Sequence, residues 1–279
     1  MKKYPAYSVL MSVYKQDDPS YLDQSITSMV NQTVPFNDMV LVCDGPLTSE
    51  IESALEVWKK KLGEKLLIHR LANNSGLGVA LSEGLPLCEC EIVARMDADD
   101  ISRPNRCELL LNALEERHLD VVGGAIEEFD KEPGDMGAIR RVPERSPEIE
   151  RFAARRNPFN HVSVLYRRHV IEAVGGYESF LYLEDYWLWV RVIMGGGVCG
   201  NIPDVVVDVR TGSGMYGRRS NTAYLKLQMS FFARLREIGF INTMQYLRAV
   251  LERSAATFMP NRLVKAVYNR LLRVNARNA

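Results

Sequence analysis

Three carboxylates stand almost side by side at Asp97, Asp99 and Asp100, within the stretch IVARMDADDISRPNR that runs from Ile92 to Arg106. Crowded anionic groups repel one another unless a cation or a set of hydrogen-bond donors offsets them. Carboxylate oxygens suit a hard divalent cation, which keeps its remaining coordination places for phosphate oxygens and water. The chemistry open to this turn is therefore metal binding, with the metal in turn holding an anionic ligand. A plainer role is an Asx turn followed by a helix cap, for which one Asp or Ser is enough. Three carboxylates exceed that need.

Such a turn requires elements that hold it. Ile92, Val93, Ala94 and Met96 predict a buried strand ending at the carboxylates, and Ser102 and Pro104 signal a helix start before Leu109, Leu110, Leu111 and Leu114. Upstream, Tyr7–Tyr14, Met39–Cys43 and Leu66–Ile68 read as further buried strands. Helices are expected over Tyr21–Val30 and from Ser49, where Ser49 and Glu52 would form a capping box. This alternation predicts βαβ units and a parallel sheet, in which ligands bind beyond the carboxyl ends of the strands. No GxGxxG follows the first strand, which argues against a dinucleotide site.

Beyond Leu114 the pattern loosens. Val121–Gly124 and Ala125–Phe129 suggest a strand pair, Glu132–Pro147 an exposed excursion, and Asn160–Arg167 another strand. A helix is expected over His169–Val174. Glu184–Met194 predicts an aromatic-rich helix closed by Gly195–Gly197, and Val205–Val209 a last strand. Three amphipathic helices follow, at Leu225–Ile238, Thr243–Ala255 and Arg262–Val274.

The 279 residues, 47% hydrophobic and 25% charged, suit a soluble globular chain with a substantial core. Formal net charge is zero, yet from Arg218 onward twelve basic residues face only Glu237 and Glu252. That excess predicts an anionic partner for the tail. The five cysteines have no zinc-like spacing and read as free thiols of a reducing compartment. No signal peptide and no bilayer-spanning apolar run are visible.

Five motifs in order carry a resemblance: SVLMSVYK at Ser8–Lys15, VLVCDGP at Val40–Pro46, NNSGLG at Asn73–Gly78, ARMDADDISRPNR at Ala94–Arg106, and LEDYWLW at Leu183–Trp189. Over Tyr7 to about Trp189 the chain resembles the family 2 inverting glycosyltransferases of GT-A fold, particularly the bacterial exopolysaccharide, capsule and O-antigen enzymes. The resemblance implies a Rossmann-like mixed sheet flanked by helices. It implies a glycosyltransferase domain over 1–217, with a nucleotide-binding half to about 117 and an acceptor half from about 118. Residues 218–279 form a basic helical appendage.

It also implies a UDP-sugar as donor substrate with Mn²⁺ or Mg²⁺. Asp97-Ala98-Asp99 would be the DxD motif, with Asp99 the metal ligand, Asp97 nearer the ribose and sugar, and His161 a further candidate at the metal or diphosphate. Asp44 would accept from the uracil ring, although Cys43 and Pro46 depart from the family's usual Asp-Asp-Gly-Ser. Ser12, Val13 and Tyr14 would pack beside the base, and Gly76 and Gly78 would admit the nucleotide. Asp185 matches the general base, with Glu184 taking that role if the register is one residue off. Trp187 and Trp189 read as core. Arg210, Arg218 and Arg219 border a glycine-rich loop that could bring guanidinium groups to the diphosphate.

For the tail, Phe231, Phe232, Leu235 and Ile238 beside Arg234 and Arg236 suit an interfacial helix. For any single helix, packing against the catalytic domain with a solvated basic face is the expectation; the tail as a whole points to the anionic inner membrane surface, next to a lipid-linked glycan acceptor. The same helices could form a homodimer contact. A nucleic-acid partner is not expected, since no such module is present. Two other readings stay open from the sequence: a phosphotransferase with DxD as nucleophile and acid, and a non-catalytic scaffold for nucleotides or polyanions.

Overall fold

The structure, a computed structural model, describes residues 3–180, 182–211, 222–258 and 274–275. Four parallel strands, β1 (Tyr7–Val13), β2 (Asp38–Cys43), β3 (Leu66–Arg70) and β4 (Ile92–Asp97), lie in the order β4-β1-β2-β3. Helices α1 (Pro19–Val30), α2 (Ser49–Leu62) and α3 (Leu77–Gly84) connect them. Beyond them come β5 (Ile101–Ser102), α4 (Arg106–Glu116), β6 (Val121–Phe129), β7 (Ala138–Arg140), α5 (Ser146–Ala153), β8 (Leu165–Arg167) and α6 (Arg168–Ala173). The chain continues through α7 (Glu184–Met194), β9 (Cys199–Arg210), α8 (Thr222–Glu237), α9 (Thr243–Phe258) and β10 (Val274–Asn275).

β8 runs antiparallel between β4 and β6, which makes the sheet mixed, and β9 lies parallel to β6. Its inner strands β1, β2 and β4 are nearly continuous buried runs because helices cover both faces. Alternation assigns each side chain to a side. Tyr7, Val9, Met11 and Val13 join the core under α1, α2 and α4, while Leu10, Val40 and Val42 join Leu188 and Trp189 on the other side. In β4, Ile92, Ala94 and Met96 take the first side and Val93 the second, so Arg95 and Asp97 share the second.

Several expected boundaries move. Thr48, not Ser49, caps α2: its backbone is extended and its side chain accepts from Ile51 N. The helix after the carboxylates starts at Arg106, because Ile101 and Ser102 pair with Asp208 and Val207 of β9. Val121–Phe129 is one strand rather than two. Gly123 and Gly124 make no turn; they admit β9 at close range, where a Cβ on either would meet Asn201 Oδ1 at 2.5 Å or Val206 Cγ2 at 2.6 Å. Pairing along β6 also extends the last strand to Cys199–Arg210. His161 sits in a 3-10 turn, and the strand after it starts only at Leu165. The expected excursion contains β7. The third tail helix lies outside the described residues, except that Val274 pairs with Ile139 in β10.

α8 packs on the catalytic domain, as expected for a single tail helix. Phe231, Phe232 and Leu235 are buried against Tyr186, Trp187 and Val190 of α7. Full burial stabilises such side chains by roughly 1.5–3 kcal/mol each, more than a solvated basic face gains at a surface. Trp187 and Trp189 are core, and all five cysteines are buried and unpaired.

Candidate active site

Since β1, β2 and β4 are parallel, their carboxyl ends share one edge, with Ser12 level with Asp97 on one side and with Val42 on the other. Above this edge opens a cleft of about 540 Å³. Its floor is formed by Ser12, Asp44, Asp97 and Asp99, and Glu184 and Asp185 form part of the same lining. The structure therefore unites carboxylates nearly ninety positions apart in the sequence.

The carboxylate oxygens of Asp97, Asp99 and Asp100 gather within 4.8 Å of one another. Asp97 pairs with Arg95, Asp100 is buried, and Asp99 is exposed. Although Asp99 reaches solvent as a residue, desolvation of its carboxyl within the cluster, and then the Asp97 charge, raise it to about 6. An all-oxygen set under such strain fits a hard divalent cation, which would relieve the repulsion. Asp100 does not cap a helix. Its Oδ1 accepts from Arg210 N at 2.8 Å, tying the turn to the end of β9. Arg210 Nε donates to Asp99 O at 3.1 Å, and its guanidinium lies 3.7 Å from the Tyr21 ring. Arg210 thus braces the turn. Arg103 adds a clamp, pairing with Asp208 at 2.7 Å and Glu127 at 2.6 Å.

Asp44 organises the Asn73–Gly78 loop. Its carboxylate accepts from Ser75 N at 2.6 Å, Gly76 N at 2.9 Å and Asn74 Nδ2 at 3.1 Å. Gly45 makes that embrace possible: its φ is +85°, and a Cβ there would lie 2.5 Å from Asn74 N. Gly76 reaches the cleft, whereas Gly78 packs under Glu184. Ser12 and Tyr14 line the cleft. Val13 does not: it points into the core, and only its carbonyl serves the site, accepting from Asp44 N at 2.8 Å.

His161 shares the cleft but stands outside the acidic cluster. Its Nε2 is 3.0 Å from Tyr177 OH, and burial followed by the Arg95 charge holds the ring well below its ordinary range. This hydrogen bond sets His161 beside the cleft, apart from the three clustered aspartates. Arg218 and Arg219 lie outside the described residues.

Glu184 and Asp185 open α7, where the helix dipole favours negative charge. Asp185 accepts from Asn157 Nδ2 at 2.5 Å and from Tyr186 N at 2.7 Å. Burial raises its carboxyl above the ordinary range, and raises Glu184, beside the Asp185 charge, to about 7. A carboxylate poised in this range can take a proton near neutral pH.

Three lining residues, and one amide that holds Asp185, escape a sequence reading. Arg95 looks like an interruption in an apolar strand, Asp17 like part of a turn, Asn157 like a loop amide, and Tyr182 like one more aromatic. The two adjacent acidic residues of Asp17-Asp18 are the only hint. Asp18 caps α1, whereas Asp17 accepts from Tyr14 N at 2.9 Å and faces the cleft.

Burial and neighbouring Asp99 and Asp97 raise Asp17 to about 7. Unfolded carboxyls titrate near 4. Between about 4 and about 7 the folded protein therefore binds protons that the unfolded chain does not, so these groups add stability as pH falls through 7. In chelator, Asp17→Asn and Glu184→Gln should each shrink the gain in Tm between pH 7.5 and 5.5. Equal gains in wild type and both variants would contradict this.

The mixed sheet and its acidic cleft define the GT-A class of nucleotide-diphospho-sugar transferases. Residues 8–173 match Glycosyl transferase family 2. The amylovoran biosynthesis glycosyltransferase AmsE of Erwinia amylovora is 36% identical over 95% of this chain and 98% of its own. An Escherichia coli UDP-Gal:alpha-D-GlcNAc-diphosphoundecaprenol beta-1,3-galactosyltransferase is 32% identical over 96% and 97%. The fold is shared with Staphylococcus aureus TarS 1–349 in complex with UDP-GlcNAc, at TM-score 0.66 and 16% identity over 98% of this chain and 77% of that one. Of a longer TarS structure the chain spans 44%. Pyrobaculum calidifontis mannosyltransferase PcManGT with GDP-Man and Mn²⁺ gives TM-score 0.63 at 19% identity, over 99% and 78%.

The chain belongs to glycosyl transferase family 2, and its relatives include exopolysaccharide and O-antigen enzymes, as its motifs imply. It is a glycosyltransferase. The phosphotransferase alternative falls away, and the DxD indeed follows β4 rather than β1.

Proposed function

We propose that this protein transfers one hexosyl or N-acetylhexosaminyl residue, with inversion, from a UDP-sugar to a hydroxyl of a lipid-linked glycan in bacterial surface polysaccharide synthesis. The observation that carries this reading is the single cleft joining Asp97 and Asp99 to Glu184 and Asp185. Asp185 takes the proton of the acceptor hydroxyl as that oxygen attacks the anomeric carbon, and the nucleoside diphosphate departs on the opposite side. No covalent enzyme intermediate is needed. Asp99 would hold Mn²⁺ or Mg²⁺, with Asp97 nearer the ribose and sugar; when bound, the metal would offset the charge of the departing diphosphate.

Asp44 spends three acceptor positions on its loop. A carboxylate offers about four, so one remains for a uracil imide N–H. Tyr182, 59% exposed and lining the cleft, offers an aromatic face to the acceptor sugar. A UDP-sugar agrees with the names of the E. coli galactosyltransferase and the TarS complex, and a lipid-linked acceptor with the former. A panel of UDP-sugars with Mn²⁺, scored by UDP release and product anomer, tests the reading. Retention of the sugar's configuration, or no metal-dependent stabilisation by any UDP-sugar, would overturn it.

We further place the protein on the anionic inner face of the membrane, through α9 rather than α8. Met244, Leu247 and Leu251 are 75%, 50% and 70% exposed on one helical face, with exposed Arg248 among them. No helix among the described residues is long and apolar enough to cross a membrane. Phosphatidylglycerol vesicles should sediment the protein at low salt, and Met244→Asp/Leu251→Asp should lower that binding more than about tenfold. Equal sedimentation by the variant, or a concentration-dependent dimer buried on this face, would contradict the placement.

A further inference from the structure

Arg95 lies in β4, between β1 and β8, with its side chain 1% exposed. A charge in such a place is retained only where other groups offset it. Nη2 pairs with Asp97 Oδ1, while Nε and Nη1 have no hydrogen-bond partner among the described residues. A buried arginine kept for the fold alone would use its fork more fully. The guanidinium instead lies at the base of the cleft, two residues before Asp97 on the same side of the strand, and its positive field reaches Asp99, Glu184 and Asp185.

We propose that Arg95 is a positioning residue that divides the work of the two aspartates: its fixed counter-charge withdraws Asp97 from metal ligation and holds it as an oriented acceptor for a nucleotide-sugar hydroxyl, leaving the cation to Asp99. The charge count is the reason. Asp97 already has a full cation against one oxygen, so a metal gains little from it, and its other oxygen remains open to a hydroxyl donor. Asp99 reaches solvent in the cleft and has no salt-bridge partner among the described residues, so it is the carboxylate left to the metal.

This inference rests on the metal and UDP-sugar reading above. Removing the Arg95 charge would release Asp97 as an extra anionic ligand. Mn²⁺ binding without nucleotide should then tighten, while the anionic nucleotide, having lost both a positive field and its oriented acceptor, should bind more weakly. A merely structural loss would weaken both.

The test is Arg95→Gln, read by Mn²⁺ titration with electron paramagnetic resonance in the absence of nucleotide and by UDP calorimetry at saturating Mn²⁺. Threefold or greater tightening of Mn²⁺ together with tenfold or greater weakening of UDP is the expected result. Any other pattern in the folded variant overturns it. If Arg95→Gln does not fold, Arg95→Gln/Asp97→Asn removes both halves of the pair at no change in net charge. That variant should fold and bind Mn²⁺ within threefold of wild type; a larger loss, or failure to fold, overturns the proposal. A wild-type protein that binds neither Mn²⁺ nor UDP removes the parent reading as well, and is thereby told apart from failure of the inference alone.

Discussion

Asp185→Asn should stop sugar transfer while UDP still binds. A positioned general base contributes about 10² to 10⁴ in rate, so kcat should fall by roughly 10³. The fold should hold, because an amide oxygen can still accept from Tyr186 N or Asn157 Nδ2, the two bonds that fix this side chain. Glu184 provides the internal comparison. It is raised to about 7 and lines the same cleft, but no such pair of bonds orients it. Glu184→Gln should therefore cost less than Asp185→Asn. If initial rates show the reverse order, the neighbouring carboxylate is the base and the assignment moves by one residue.

Asp99→Ala should be nearly as damaging, for a different reason. Metal-borne charge stabilisation is worth several kcal/mol, and each 1.36 kcal/mol is tenfold in rate. The expected loss in kcat is on the order of 10³. A sharper readout is the ratio of UDP affinities with and without Mn²⁺, which should exceed unity in wild type and collapse to about one in the variant. Asp99 is exposed, so its truncation should leave Tm within a few degrees. Asp100→Ala should behave in the opposite manner, lowering Tm by detaching the turn from Arg210 N. A ratio unchanged by Asp99→Ala would remove this residue from the metal site.

The parallel half of the fold was legible because period and punctuation coincide there: apolar runs end at Asp44-Gly45 and at Asp97, and both ends line the cleft. The antiparallel half was not, because its strands are set by pairing rather than pattern. Gly123 and Gly124 read as a turn locally, yet they are there for β9, whose partner residues lie about eighty positions away. The candidate site divides similarly. Asp44, Asp97, Asp99, Glu184 and Asp185 announce themselves as carboxylates at element ends. Arg95 and Asn157 act only through what the fold sets beside them, and a lone arginine in a strand or an amide in a loop carries no local signal. The tail shows the same limit: an apolar stripe states that something covers it but not what, and for α8 that cover is α7.

The close approach at Gly45 has an evolutionary consequence. Because not even a methyl group fits between residue 45 and the Asn74 backbone, the loops after β2 and before α3 cannot drift apart one mutation at a time. The Asp44 end of the cleft is locked, and on the proposed function a lineage seeking new sugars or acceptors would explore the rim around Tyr182 instead, where that side chain is 59% exposed.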